Sequence, residues 1–186
     1  MSPHFSSYYD CVTREDFELL KYLSWHVYPF SASLVKNNAD IRRKLASSTS
    51  WCHLAARAVA TVFADKGLKV ADGKFYDIQW TSDGPPMLHY TVHSWCKTKD
   101  GSILDVAPVG ILSFNPILLA RKDAVVNPEW GFVTDRYAET DEVNGQVECH
   151  LRSEKFRNGY PVYVSLLRNV RQQVDEIMKK GSRKKK

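Results

Sequence analysis

A thiol, an imidazole and a carboxylate are the groups with which a chain can break an acyl bond through a covalent thioester. Here those groups, in chain order, are Cys52, His93 and Asp105. A thiol becomes a strong nucleophile when its pKa falls or a base stands beside it. The first turn of a helix lowers it, because unpaired N–H groups and the helix dipole favour an anion. The stretch from about Trp51 to Lys66, stopped by Gly67, reads as such a helix, with Cys52 in its first turn and Ser50 as its cap. The same N–H groups suit a developing oxyanion. Cys11, Cys96 and Cys149 have no comparable setting.

The base is expected at His93, within Leu88-His89-Tyr90-Thr91-Val92-His93-Ser94-Trp95-Cys96. Period-2 alternation places His89, Thr91, His93 and Trp95 on one face of that strand. Asp105 lies in the otherwise apolar Ile103-Leu104-Asp105-Val106-Ala107, where a carboxylate is costly unless partnered. A three-residue loop, Lys99-Asp100-Gly101, sets Thr98 against Ser102, Trp95 against Asp105 and His93 against Ala107. Asp105 and His93 then share a face as diagonal neighbours, ~7–8 Å apart along the backbone, which side chains can close. A two-residue Asp-Gly turn would send Asp105 to the opposite face.

The elements that must position these groups follow from patterning. Phe17, Leu20, Leu23 and Val27 predict a helix that Pro29 ends, and Asn38 caps a second one carrying Ile41 and Leu45. The Trp51–Lys66 helix is apolar on nearly every side, which predicts a buried central helix. Strands are expected over 68–71, 74–81, 87–97 and 102–107, parted by Asp-Gly and Gly-Pro-Pro turns. A short helix over 113–121, irregular chain over 123–145, an added strand over 146–151 and a C-terminal helix after an ambiguous 160–165 complete the reading. Helices followed by strands predict an α+β fold, a buried Cys-bearing helix packed on an antiparallel sheet. Residues 1–178 fit one catalytic domain.

Trp51-Cys52-His53-Leu54-Ala55-Ala56, then His93-Ser94-Trp95, then Asp105-Val106-Ala107-Pro108 resemble the core of the transglutaminase-like superfamily of papain-like cysteine enzymes. The resemblance covers about residues 50 to 108. It implies a papain-like arrangement and acyl transfer: Cys52 attacks an amide carbonyl, His93 shuttles the proton, and Asp105 fixes the imidazole. Water then completes hydrolysis or deamidation, and an amine completes transamidation. Trp25, Asn37 and Gln79 are the candidates for the upstream oxyanion donor that relatives use. Cys52 lacks the preceding glycine common in the family. No calcium-ligand loop is evident, so a peptidase or glutamine-deamidase outcome is favoured over crosslinking. No cofactor is implied. Trp51 and Trp95 are candidate walls for a peptide or protein substrate, although tryptophans at such places are more often core.

Composition bounds the alternatives. Four widely spaced cysteines without CxxC suggest neither a zinc ribbon nor a disulfide framework. His89, His93 and Cys96 would suit zinc on a helix, but on a strand the two histidines stand ~13 Å apart. The net charge of +5 comes from the end of the chain: six of the last eight residues are Lys or Arg, and the rest hold 20 basic against 21 acidic residues. Residues 179–186 therefore read as a basic, solvated, disordered tail able to touch nucleic acid or an acidic surface. A non-catalytic interaction module with that tail as its nucleic-acid contact is the alternative reading. A toxin or effector that modifies a host protein is a third. No apolar stretch approaches a membrane span and no signal peptide is evident, so a cytoplasmic protein with reduced thiols is expected.

Overall fold

The computed structural model describes residues 51–79, 84–99, 101–107, 118–120, 125–127, 131–132 and 136–183. The helices expected over 17–28 and 38–46, the Ser50 cap, Cys11, Trp25 and Asn37 lie outside the described residues. The fold is α+β. Helix α1 (Trp51–Val62) is followed by a 3₁₀ turn at Ala64–Lys66. Gly67 closes that turn at φ +73°, its N–H donating to the Ala64 carbonyl at 2.9 Å. The left-handed backbone there favours glycine.

Strands β1 (Lys69–Gln79) and β2 (Met87–Lys97) pair antiparallel over their whole length, Lys69 opposite Lys97 and Gln79 opposite Met87. Strands β3 (Ile103–Asp105), β4 (Leu118–Ala120) and β7 (Tyr137–Glu139) complete a five-stranded sheet in the order β4-β3-β2-β1-β7. Strands β5 (Val125–Asn127) and β6 (Gly131–Phe132) form a separate pair. Helices α2 (Asn144–Arg152) and α3 (Glu154–Arg183) end the described chain. Among the described residues no helix is long and apolar enough to cross a membrane.

Five local expectations need correction, the first being 123–145, expected irregular, which holds strands β5, β6 and β7. Asp72-Gly73 is no turn: both residues lie inside the single strand β1. Gly73 is flanked by His93 on β2 and Glu139 on β7, and a Cβ there would meet the Ala138 carbonyl oxygen at 2.0 Å. The glycine permits close approach of a third strand. Residues 118–120, expected in a short helix, pair with β3 as strand β4. Residues 146–151 are helical, in α2, where Val147 is buried. The basic end, read as disordered, is helical as far as Arg183, and 184–186 lie outside the described residues.

Helix α1 earns its apolar circumference by lying between two layers. Leu54, Ala55, Ala58, Val59 and Phe63 share one core with Cys96 and Leu104 of the sheet and with Tyr163, Val164 and Leu167 of α3. Fully burying one such Leu or Val contributes ~1.5–3 kcal/mol. Arg171 of α3 fastens the far end of α1. It donates to both Asp65 carboxylate oxygens, at 2.7 and 2.8 Å, and to the Val62 carbonyl at 2.5 Å. A cation at a helix C-terminus is favourably placed.

The close packing at Gly73 yields a prediction. Gly73→Val should lower unfolding free energy by ~2–3 kcal/mol in urea titrations, because β7 must retreat from β1. Tyr137, which β7 carries, should lose its place with it, seen as a loss of near-ultraviolet aromatic dichroism.

Candidate active site

The loop between β2 and β3 decides which face Asp105 takes. Gly101 adopts φ +85°, its N–H donates to the Thr98 carbonyl at 3.1 Å, and Thr98 N–H donates to the Ser102 carbonyl at 3.0 Å. Cys96 then stands opposite Leu104 and Lys97 opposite Ile103. This is the three-residue loop, and it puts Asp105 on the face of His93. The two side chains meet at 2.7 Å, His93 Nε2 to Asp105 Oδ2, both wholly buried. Asp105 Oδ2 also accepts from the Tyr137 hydroxyl at 2.7 Å, and Oδ1 accepts from the Ala107 N–H at 3.0 Å. A buried carboxylate with three donors is a satisfied one.

Tyr137 was invisible to the sequence reading, since its place depends on β7 joining β1 (Tyr137 opposite Phe75). Three strand spacings of ~4.8 Å separate β7 from β3. The hydroxyl reaches Asp105 because the sheet curls toward this face. Burial and the Asp105 charge hold the Tyr137 phenol well above its usual pKa, so it remains a donor.

Cys52 sits in the first turn of α1 and is 8% exposed. Burial opposes its ionisation, but hydrogen bonding to His53 and His93, with the charge on both rings, lowers the thiol to about 6. His93 moves the other way. Burial disfavours its charge, yet Asp105 and the Cys52 thiolate raise it to about 10. Because Asp105 occupies Nε2, Nδ1 is the nitrogen left for the thiol. Among the described residues Nδ1 makes no closed hydrogen bond. Cys96 gives the contrast: burial pushes its thiol to about 12, and it donates to the Ala56 carbonyl at 3.3 Å.

The other expected residues fall elsewhere. Trp95 is 2% exposed and stacks on His93 with centroids 6.2 Å apart, so it backs the imidazole and does not wall a cleft. Trp51 turns edge-on to Tyr163 at 5.0 Å. Gln79 ends β1, six residues from the Gly73 that faces His93, ~20 Å along the strand. His89 and His93 both lie on strand β2, and among the described residues no group of three or more His, Cys, Asp or Glu could hold a metal ion. A groove of about 560 Å³, lined by Leu88, His89, Tyr90, Thr91, Val92, Gln146 and His150, runs along the outer half of β2. His150 joins that groove to the thiol's surroundings, because its ring stacks on His53 at 5.0 Å.

The shifts have opposite signs, and their pH consequences cancel. His93's folded value lies above its unfolded 6.5, so alone it adds stability below pH 6.5 that fades toward about 10. Cys52's folded value lies below its unfolded 9.0, so alone it adds stability above pH 9 that is lost as pH falls through about 6. Between about 6.5 and 9 the folded and unfolded pair each hold one proton. The proton has moved from sulfur to nitrogen without leaving.

Two outcomes are expected. Ultraviolet thiolate absorbance should be present at neutral pH in the folded protein and vanish on unfolding, with no proton released by the pair. Tyr137→Phe should keep that absorbance while lowering stability by ~1–2 kcal/mol, whereas Asp105→Asn should abolish it. Loss of the absorbance in Tyr137→Phe would show that the phenol, not the carboxylate, sets the pair.

Comparison of the chain with family models, with curated proteins and with solved structures gives no match.

Proposed function

We propose that this protein is a thiol-dependent amide hydrolase or acyltransferase, of the transglutaminase-like and papain-like kind, whose nucleophile is Cys52. The observation that carries the reading is the paired, opposite displacement of two buried groups: a thiol brought down to about 6 beside an imidazole brought up to about 10 by a buried carboxylate. Strongly perturbed, mutually coupled groups are what nucleophilic sites require. A structural thiol buried in apolar surroundings shifts upward, as Cys96 does.

The chemistry runs in two halves. The Cys52 thiolate attacks an amide carbonyl, and N–H groups at the start of α1 lie near the developing oxyanion. His93 passes its proton to the departing amine as the C–N bond breaks. Asp105 keeps the ring aligned through Nε2, and Tyr137 and the Ala107 N–H hold Asp105. Water then releases the acyl group from sulfur. Hydrolysis is favoured over transamidation, and a peptide or protein amide is the expected substrate class.

Iodoacetamide alkylation followed by peptide mass spectrometry tests the reading. Cys52 should react at half its limiting rate near pH 6, and Cys96 should stay unreactive while the protein is folded. His93→Ala should move the Cys52 midpoint upward toward an ordinary thiol, ~8.5. A Cys52 that reacts only after unfolding would sink the proposal.

A further inference from the structure

A second imidazole stands on the nucleophile. His53, next to Cys52 in α1, is 1% exposed. Its Nδ1 meets Ser94 Oγ at 2.5 Å, and Ser94 Oγ in turn donates to Asp72 Oδ1. Arg57, one turn along α1, clamps Asp72 through two bonds, at 3.1 and 2.7 Å, and adds a third to Ser94 Oγ at 3.3 Å. This is a four-residue chain, Arg57-Asp72-Ser94-His53, built from α1, β1 and β2. The His150 ring stacks on His53.

The donors fix the tautomer. Ser94 has one proton, and it goes to Asp72. Ser94 Oγ therefore accepts from His53, so His53 Nδ1 carries the N–H. In a neutral ring Nε2 is then the basic nitrogen, and His53 also interacts with the Cys52 thiol. His93 and His53 each have one nitrogen tied, His93 to a carboxylate and His53 to a hydroxyl. They differ in the charge behind them. Asp105 bonds His93 directly, alongside the Tyr137 hydroxyl and the Ala107 N–H. Asp72 reaches His53 only through a hydroxyl and is neutralised by Arg57. His93 is built to stay protonated and give a proton. His53 has no uncompensated carboxylate behind it.

We infer that His53, held by Ser94, Asp72 and Arg57, is the general base for breakdown of the Cys52 acyl-enzyme. The inference rests on the reading of Cys52 as nucleophile. As water attacks the thioester carbonyl, a C–O bond forms and the water proton passes to His53 Nε2. Collapse breaks the C–S bond and releases the carboxylic acid and the Cys52 thiolate. The proton on His53 then returns to His93, which had given its own to the amine, and the resting pair is restored.

The test uses p-nitrophenyl acetate, which acylates reactive thiols and reports p-nitrophenolate release. Wild type should show a burst equal to the Cys52 present, followed by turnover with a solvent deuterium isotope effect. His53→Gln should keep the burst and lose roughly tenfold or more in turnover, together with the isotope effect. Hydroxylamine, a stronger nucleophile that needs no base, should restore turnover in that variant. Ser94→Ala, which keeps both imidazoles, should lower turnover with the burst intact, and it decides the matter if His53→Gln does not fold. Unchanged turnover, or burst and turnover falling together in Ser94→Ala, would overturn the base role while leaving Cys52 as nucleophile. A wild type with no burst and no Cys52 alkylation would remove the nucleophile itself, and the inference with it.

Discussion

A carboxylate with no solvent exposure must be given partners before the chain can fold around it, and Asp105 takes them from three directions. One is its own turn, through the Ala107 N–H. Another is the neighbouring strand, through His93 Nε2. The third is the far edge of the sheet, through the Tyr137 hydroxyl. Leaving such a group unpaired costs several kcal/mol, so sheet curvature, β2–β3 register and the attachment of β7 are bound together by one side chain. Gly73 serves the same requirement from the backbone side, since β7 approaches β1 across a place where no Cβ fits.

The second layer of the design is α1. Its alanines let the sheet and α3 close on both sides, and that sandwich fixes where Cys52 points. Two buried thiols separated by this helix and strand behave oppositely. Cys96 donates to a carbonyl, and burial, with the Asp105 charge, pushes its thiol up. Cys52 meets two imidazoles, and hydrogen bonding to them, together with their charge, outweighs burial. Depth is similar in both, so the neighbours determine which one ionises.

The charged and polar groups around Cys52 are organised as two anchored rings, not one. His93 is backed by Trp95 and Phe75 and anchored by Asp105. His53 is backed by His150 and anchored through Ser94. Ser94 and His93 are adjacent on β2, so their side chains face opposite sides of the sheet.

What the sequence by itself determined is local. The helix over 51–62, its glycine stop, the strand over 87–97 and the three-residue loop ending in Gly101 follow from periodicity and turn chemistry, and the loop carries the His93–Asp105 register with it. Misreadings arose where tertiary packing overrode propensity. Asp72-Gly73 has turn composition but lies in a strand because β7 must approach it. Residues 160–165, ambiguous from the sequence, are helical even at Pro161, since Tyr163, Val164 and Leu167 bury against α1. Only the tertiary structure decided that Tyr137 would hold Asp105 and that His53 would join Ser94, Asp72 and Arg57. Those contacts link residues from 15 to 41 positions apart and depend on strand order and sheet curl. Neither strand order nor curl has a local signature, because both are set by how whole elements bury one another.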